Sequence, residues 1–540
     1  MMLILKNLLF LAVAVTGCML LVANLVPARH GKPLTATRPE AYAENDFQQT
    51  VDHINQSFRK TWTSEGIQPA LEADALAVAR RLSLGLMGTV PSLEEIRQIE
   101  SIPADQRVEW WVDHILQDRR YAEFVAERMA RSFVGTENGP FIFFRRRKFV
   151  LWLADEIARN RPYDELARDL ITAEGLWTDK PATNFVTVTI EQDNKEKENQ
   201  PDPIRLAGRV TRAFLGLRMD CAQCHDHPFA AWKQNDFEGF AAFFGQTHVG
   251  FRGVYDGQGE FEIVDRKTQK KRQVAPKVAF SPELIPEQGT LRQKLAVWVT
   301  HERNPYFARS AVNRIWAIMC GQPLVTPIDN LEREGPTPDA LDILANDFST
   351  HGYDIARLVR LIASTDVYRR ESLSRLDSSE KAEKTWAQFP LTRLRPEQVA
   401  GSVLQATSVA TIDAESHIFT RLIRFGDQND FIKRYGDSED DEFDGRGGTI
   451  PQRLVMMNGK MVREKTQGGP FGATTRIDWL APNDESALET IFLATLTRRP
   501  TTLEKESLDS ELKEKPFGRG HAIQDLFWAL VNSTEFSWNH

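Results

Sequence analysis

Cysteine is scarce in this sequence, with four residues in 540: Cys18, Cys221, Cys224 and Cys320. So few exclude a small scaffold stapled by disulfides. Neither charge sign dominates: 67 Lys and Arg stand against 75 Asp and Glu, a net charge of -8, and the two signs are well mixed. This argues against nucleic acid as a partner. No P-loop, dinucleotide fingerprint or G-x-S-x-G nucleophile motif occurs, which removes the best-marked nucleotide-binding and serine-hydrolase classes. No period repeats along the chain, so a solenoid is excluded. What remains is ordinary for a folded protein, 41% hydrophobic and 26% charged, long enough for several domains.

Scarcity makes the placement of the cysteines informative. Two of the four fall within "CAQCH", where Cys221, Cys224 and His225 spell C-x-x-C-H. Chance placement at this composition gives about 0.0006 such motifs per chain, so the spacing serves a purpose. Three readings fit it. In the first, both thiols anchor a c-type haem and His225 ligates the iron from one side. His227 is too close in sequence to reach the far face, so His248 or a methionine is the distal candidate. In the second, Cys221, Cys224, His225 and His227 offer sulfur and nitrogen to zinc or copper, with His248 as a remote contributor. In the third, Cys221 and Cys224 form a local disulfide, which suits an oxidising compartment, and the two histidines cap helix ends.

The N-terminus bears on the compartment. Residues 8–26 carry no charge, and 19 residues are enough to cross a bilayer as a helix. An uncleaved signal anchor is the leading expectation. A lipoprotein signal at Val15-Thr16-Gly17-Cys18, with Cys18 acylated, and ordinary cleavage are the alternatives. Each places the body of the protein in the cell envelope, on the periplasmic or extracytoplasmic side, where haem c attachment takes place in bacteria.

The periodicity predicts a mainly α protein: two helical domains with a small β-hairpin element between them, behind an N-terminal membrane-anchor helix. The divisions are 1–30 anchor, 31–65 polar linker, 66–250 first domain, 251–287 hairpin connector and 288–540 second domain. Ser92 with Glu95, and Thr501 with Glu504, read as capping boxes. Thr337-Pro338 reads as a helix start and Gly352 as its stop. "VTVTIEQ", residues 186–192, reads as a short strand. "IRLAGRVTRAFLGL" reads as a helix running into the cysteine motif, with "DFEGFAAFFG" as the helix after it.

Several blocks resemble a known family. "ARRLSLGLMGTVPSLEEI", "RYAEFVAERMARSF", "NRPYDELARDLI" and "FLGLRMDCAQCHDHPFAAWKQNDFEGFAAFF" are similar, in order, to the planctomycete cytochrome C domain family (domain of unknown function 1549). "NPYFARSAVNRIWAIMCGQPLV" and "DALDILANDFSTHGYDIARLVRLIASTDVYRR" resemble its usual partner (domain of unknown function 1553). The resemblance implies an exported protein and a cytochrome-type use of C-x-x-C-H. It departs at "AIMCG" and "PTPDALD", where family members often carry histidines.

Three further groups are candidates for function. Asn304, Arg309, Asn313, Arg314 and Trp316 are dense in polar and aromatic character, and read either as a cleft for an anion or sugar or as a buried hydrogen-bond network. The basic run at residues 145–148 reads as a site for haem propionates, anionic lipid or sulfated glycan, or as a solvated helix face. "GDSEDDEFDGRGG" fails as an EF-hand, because Pro451 stands where the bidentate Glu belongs. It reads as a looser calcium site or an acidic loop. The leading function is a redox or electron-transfer role with an unknown redox partner or envelope protein. A non-haem metal hydrolase or lyase of extracellular polysaccharide, and a disulfide-stapled envelope binding protein, are the alternatives.

Overall fold

Helices account for most of the chain, and their ends follow local chemistry. Asp74 starts Ala75–Met87 by accepting from the Leu76 amide at 2.8 Å. Ser92 and Glu95 close the expected capping box on Leu93–Ser101, and Thr501 with Glu504 closes the other. Gly352 takes the left-handed conformation just beyond Asp339–Thr350, and Pro338 precedes that helix. The computed structural model describes residues 40–136, 144–190, 200–223, 226, 232–264, 270–331, 338–372, 380–408, 410–413, 416, 418–436, 443, 449–469, 472–514 and 518–540. Among them no helix is long and apolar enough to cross a membrane. The expected anchor at residues 8–26, Cys18, Thr337 and most of the acidic loop lie outside the described residues.

The structure departs from the expectations at several points. The segment read as a linker contains the helix Asn45–Glu65. Its Phe47, Val51, Ile54, Phe58 and Trp62 recur every three or four residues and are buried, an apolar stripe hidden by polar residues between. Where a strand is expected at residues 186–192, the described part, up to Ile190, is instead the helical turn Asn184–Thr187 leading into a turn, and residues 191 and 192 lie outside the described residues. Burial there does not alternate, since Phe185 to Ile190 are all buried. Asn184 fixes the turn by donating to Trp177 and Pro181 carbonyls and accepting from the Arg145 amide.

The connector expected as one hairpin is two antiparallel hairpins, Thr247–Gly250 with Gly253–Asp256 and Phe261–Val264 with Lys271–Val274. The first begins inside the expected first domain and joins it. Val254 and Gly175 exchange main-chain hydrogen bonds at 2.8 and 2.9 Å. Arg292 then ties Asp256 (2.6 Å) to the carbonyls of Ile171 and Ala173.

The boundary at 288 does not divide the hydrophobic interior. One core runs from Tyr42 to Phe389 and takes in Leu493, and a second is built from other residues of 394–536 with Leu84 and Val90. The reason is Phe307–Cys320, which is buried along most of its length and packs against Ala75–Met87 and Asp339–Thr350. Gly85 permits that approach: a Cβ there would lie 2.8 Å from the Met319 carbonyl oxygen.

Candidate functional site

The cysteine motif follows a helix with an unusual exit. Asp202 caps Pro203–Val210 by accepting from the Ile204 and Arg205 amides. The helix widens into a π turn, Thr211–Leu215, and stops at Gly216 in the left-handed region at φ 61°. A 3-10 helix, Met219–Gln223, then carries the backbone of Cys221. The expected continuous helix is therefore broken before the motif, because a wide turn and a left-handed glycine redirect the chain.

Gln234, which opens Gln234–Ala241, bonds the residues on either side of Cys224 and His225. Its amide donates to Asp226 Oδ1 at 3.0 Å and its Nε2 donates to the Gln223 carbonyl at 3.2 Å. Arg218 donates to Asp329 at 2.8 Å, and the Leu331 amide donates to the Gly216 carbonyl at 2.8 Å. The turn before the motif is thus braced by residues 329–331 from the second half of the chain. The Cys221 side chain and all of Cys224, His225 and His227 lie outside the described residues. His248 is on the first hairpin, with its ring against Tyr255 at 5.8 Å and beside Gly257. Cys320 is free and buried, and burial pushes its thiol well up.

The five cleft candidates do not converge on one cleft. Asn304 donates to the Trp298 carbonyl and accepts from the Tyr306 amide. Asn313 exchanges both bonds with Val325, at 2.9 and 3.0 Å. Both asparagines therefore hold main-chain turns. Arg309 pairs with Asp342 at the surface, at 2.6 Å. Trp316 is a core residue, stacked on Phe58 and edge-on to Trp386. Arg314 alone is buried without such a partner among the described residues. In the basic run, Arg146 is committed to Glu127 at 2.7 and 3.0 Å.

Two polar clusters escaped the sequence reading because their members come from separate helices. His114, Glu95 and Asp118 bring ligand atoms within 4.8 Å of one another. Arg120 already supplies a cation there: it bonds both Glu95 and Asp118. His114 stacks on Trp110 and Trp111, and burial holds its imidazole below the ordinary value of 6.5 despite Glu95 and Asp118. The unfolded chain therefore binds the proton first. Stability falls as pH drops below about 6.5 through the lower folded value, at no more than about 1.4 kcal/mol per pH unit. His114→Phe removes this part of the acid loss, and a matching pair of urea-midpoint profiles against pH would refute the assignment.

The second cluster borders a cavity of about 420 Å³ lined by Asp46, His53, Asp342 and His351. His351 contacts Asp46 at 2.8 Å and Asp347 at 3.3 Å, and Arg357 joins the same two carboxylates. These groups latch Asn45–Glu65 onto Asp339–Thr350.

Comparison with known proteins agrees with the motif blocks. Residues 53–249 match the family described as PSCyt2, protein of unknown function (DUF1549), and residues 291–420 match PSD1, protein of unknown function (DUF1553). No curated protein and no solved structure matches the chain. The chain thus matches the DUF1549 family and then the DUF1553 family, in the order its motifs imply.

Proposed function

We propose that this is an exported, membrane-anchored protein of the cell envelope with a redox or electron-transfer role, in which Cys221, Cys224 and His225 hold a c-type haem. The observation that carries the reading is the donor set: two thiols two residues apart followed at once by an imidazole, in a chain with only four cysteines. That set fits covalent haem through two thioethers and one axial nitrogen. Bound haem would supply one-electron chemistry at its iron. The chain's own part is to anchor through Cys221 and Cys224, to ligate through His225, and to brace the residues on either side of Cys224 and His225 through Gln234. The uncharged run at residues 8–26 supports export and anchoring.

The test is an absorption spectrum with intact mass on the full chain, expressed in a host competent for haem c maturation. A sharp reduced α-band and the added mass of one haem are expected. A colourless protein without added mass sinks the reading. A two-hydrogen deficit on the peptide holding both cysteines would then assign the disulfide, and bound zinc or copper the metal site.

A further inference from the structure

Among the described residues, the buried guanidinium groups other than that of Arg314 reach acceptors even where single nitrogens such as Arg80 Nε, Arg120 Nη1 and Arg292 Nη2 have none. Arg81 donates to the carbonyls of His540, Tyr368 and Arg370. Arg80 donates to those of Thr495 and Phe536. Arg292 bonds Asp256 and two carbonyls, and Arg120 and Arg128 face carboxylates. Arg314 is 7% exposed, and among the described residues it has no hydrogen bond or ion pair; its Nε is sealed from water without an acceptor.

Its neighbours share the deficit. Ser310 stands four residues earlier on the same helix face, 1% exposed, and its Oγ also lacks a partner. A buried hydroxyl within a helix commonly bonds back to the carbonyl four residues before it, as Thr300, Thr407 and Thr495 do here. Ser310 does not. Its Oγ faces Gly216, where a Cβ would lie 3.2 Å away. On the same face Phe307 stacks on buried Tyr163 at 5.4 Å. The charge of Arg314 reaches that phenol, against the larger effect of burial, which carries it to about 12.

A largely buried arginine without an ion pair is costly to hold, and its sealed, unsatisfied Nε beside the Ser310 hydroxyl is the kind of deficit that an absent ion or ligand would fill. We propose that Arg314 heads a buried anion-binding site between Phe307–Cys320 and the turn at Gly216, and that it takes an oxyanion of the carboxylate or phosphate class. The planar fork of arginine matches either, and Ser310 donates beside it. The site joins a residue of the DUF1553 match to a turn of the DUF1549 match, so its occupation would tighten the two against each other. It does not depend on haem.

The experiment is calorimetric titration of the full chain, dialysed into chloride buffer, with inorganic phosphate and separately with acetate. Saturable binding of at least one probe is expected, weakened at least about 30-fold in Arg314→Met. The same variant should melt no lower than wild type in chloride buffer, since it removes an unpaired charge. Ser310→Ala should weaken binding about 3- to 10-fold. The probe that binds identifies the class. Absence of binding by both probes to wild type, or wild-type affinity in Arg314→Met, overturns the site. Where Arg314→Met fails to fold, wild-type affinity in Ser310→Ala overturns it.

Discussion

Arg81→Met lowers the unfolding free energy by about 3–5 kcal/mol, the cost of breaking a buried charged hub. Arg81 is essentially inaccessible, and its guanidinium sits 4.0 Å over the Phe389 ring. Its Nε donates to the His540 carbonyl at 2.7 Å, and Nη1 donates to the carbonyls of Tyr368 (3.0 Å) and Arg370 (2.6 Å). Burial pushes this guanidinium down to about 10, so it stays charged at neutral pH. Methionine fills the space of the stem but strands three carbonyls, and each hydrogen bond to a charged group is worth about 1.5–3 kcal/mol. Relief of the charge's own desolvation offsets part of that sum. Because one hub ties Ala75–Met87 to His540, the amides of residues 538–540 should also exchange with solvent faster in the variant than in wild type. A urea midpoint within error of wild type, with His540 still protected, would show that the hub contributes nothing.

On the proposed reading, replacing both Cys221 and Cys224 by alanine removes the covalent chromophore completely. No thioether bond can form without the two thiols, so the mass of the chain falls by one haem beyond the two sulfur atoms, and the reduced α-band is lost from the denatured protein. The fold should persist, because neighbouring Met219 and Ala222 are buried in the first core and the Gln234 bonds use Gln223 and Asp226, not the cysteines. A variant with the wild-type visible spectrum would remove these cysteines from any cofactor. A variant that loses only a two-hydrogen mass difference would mark them as a disulfide.

Much of the helical content was legible in short stretches. Ser92 with Glu95 and Thr501 with Glu504 announce helix starts because both halves of a capping box lie within four residues. The C-x-x-C-H motif is legible for the same reason, since its chemistry is carried by adjacent residues. The Asn45–Glu65 helix was also present as a pattern, but its spaced apolar residues were outweighed by the polar ones between them. Other features had no local trace. The unalternating burial of Phe185 to Ile190 is a property of the neighbours that cover that segment, so β-branched residues suggested a strand where a turn formed.

The sequence by itself determined the mainly α class, most helix ends, the order of the two families and the cysteine-histidine motif. Each is set by residues within a few positions of one another. Only the tertiary structure decided that the interior divides near residue 390 and not at 288, that Arg120 occupies the His114 cluster, and that Asn304 and Asn313 serve the backbone while Arg314 is left without an acceptor among the described residues. The physical reason is the same in each case. Burial and hydrogen-bond satisfaction belong to a side chain's surroundings, and those are assembled by the fold, not displayed in the residue's own short stretch of sequence.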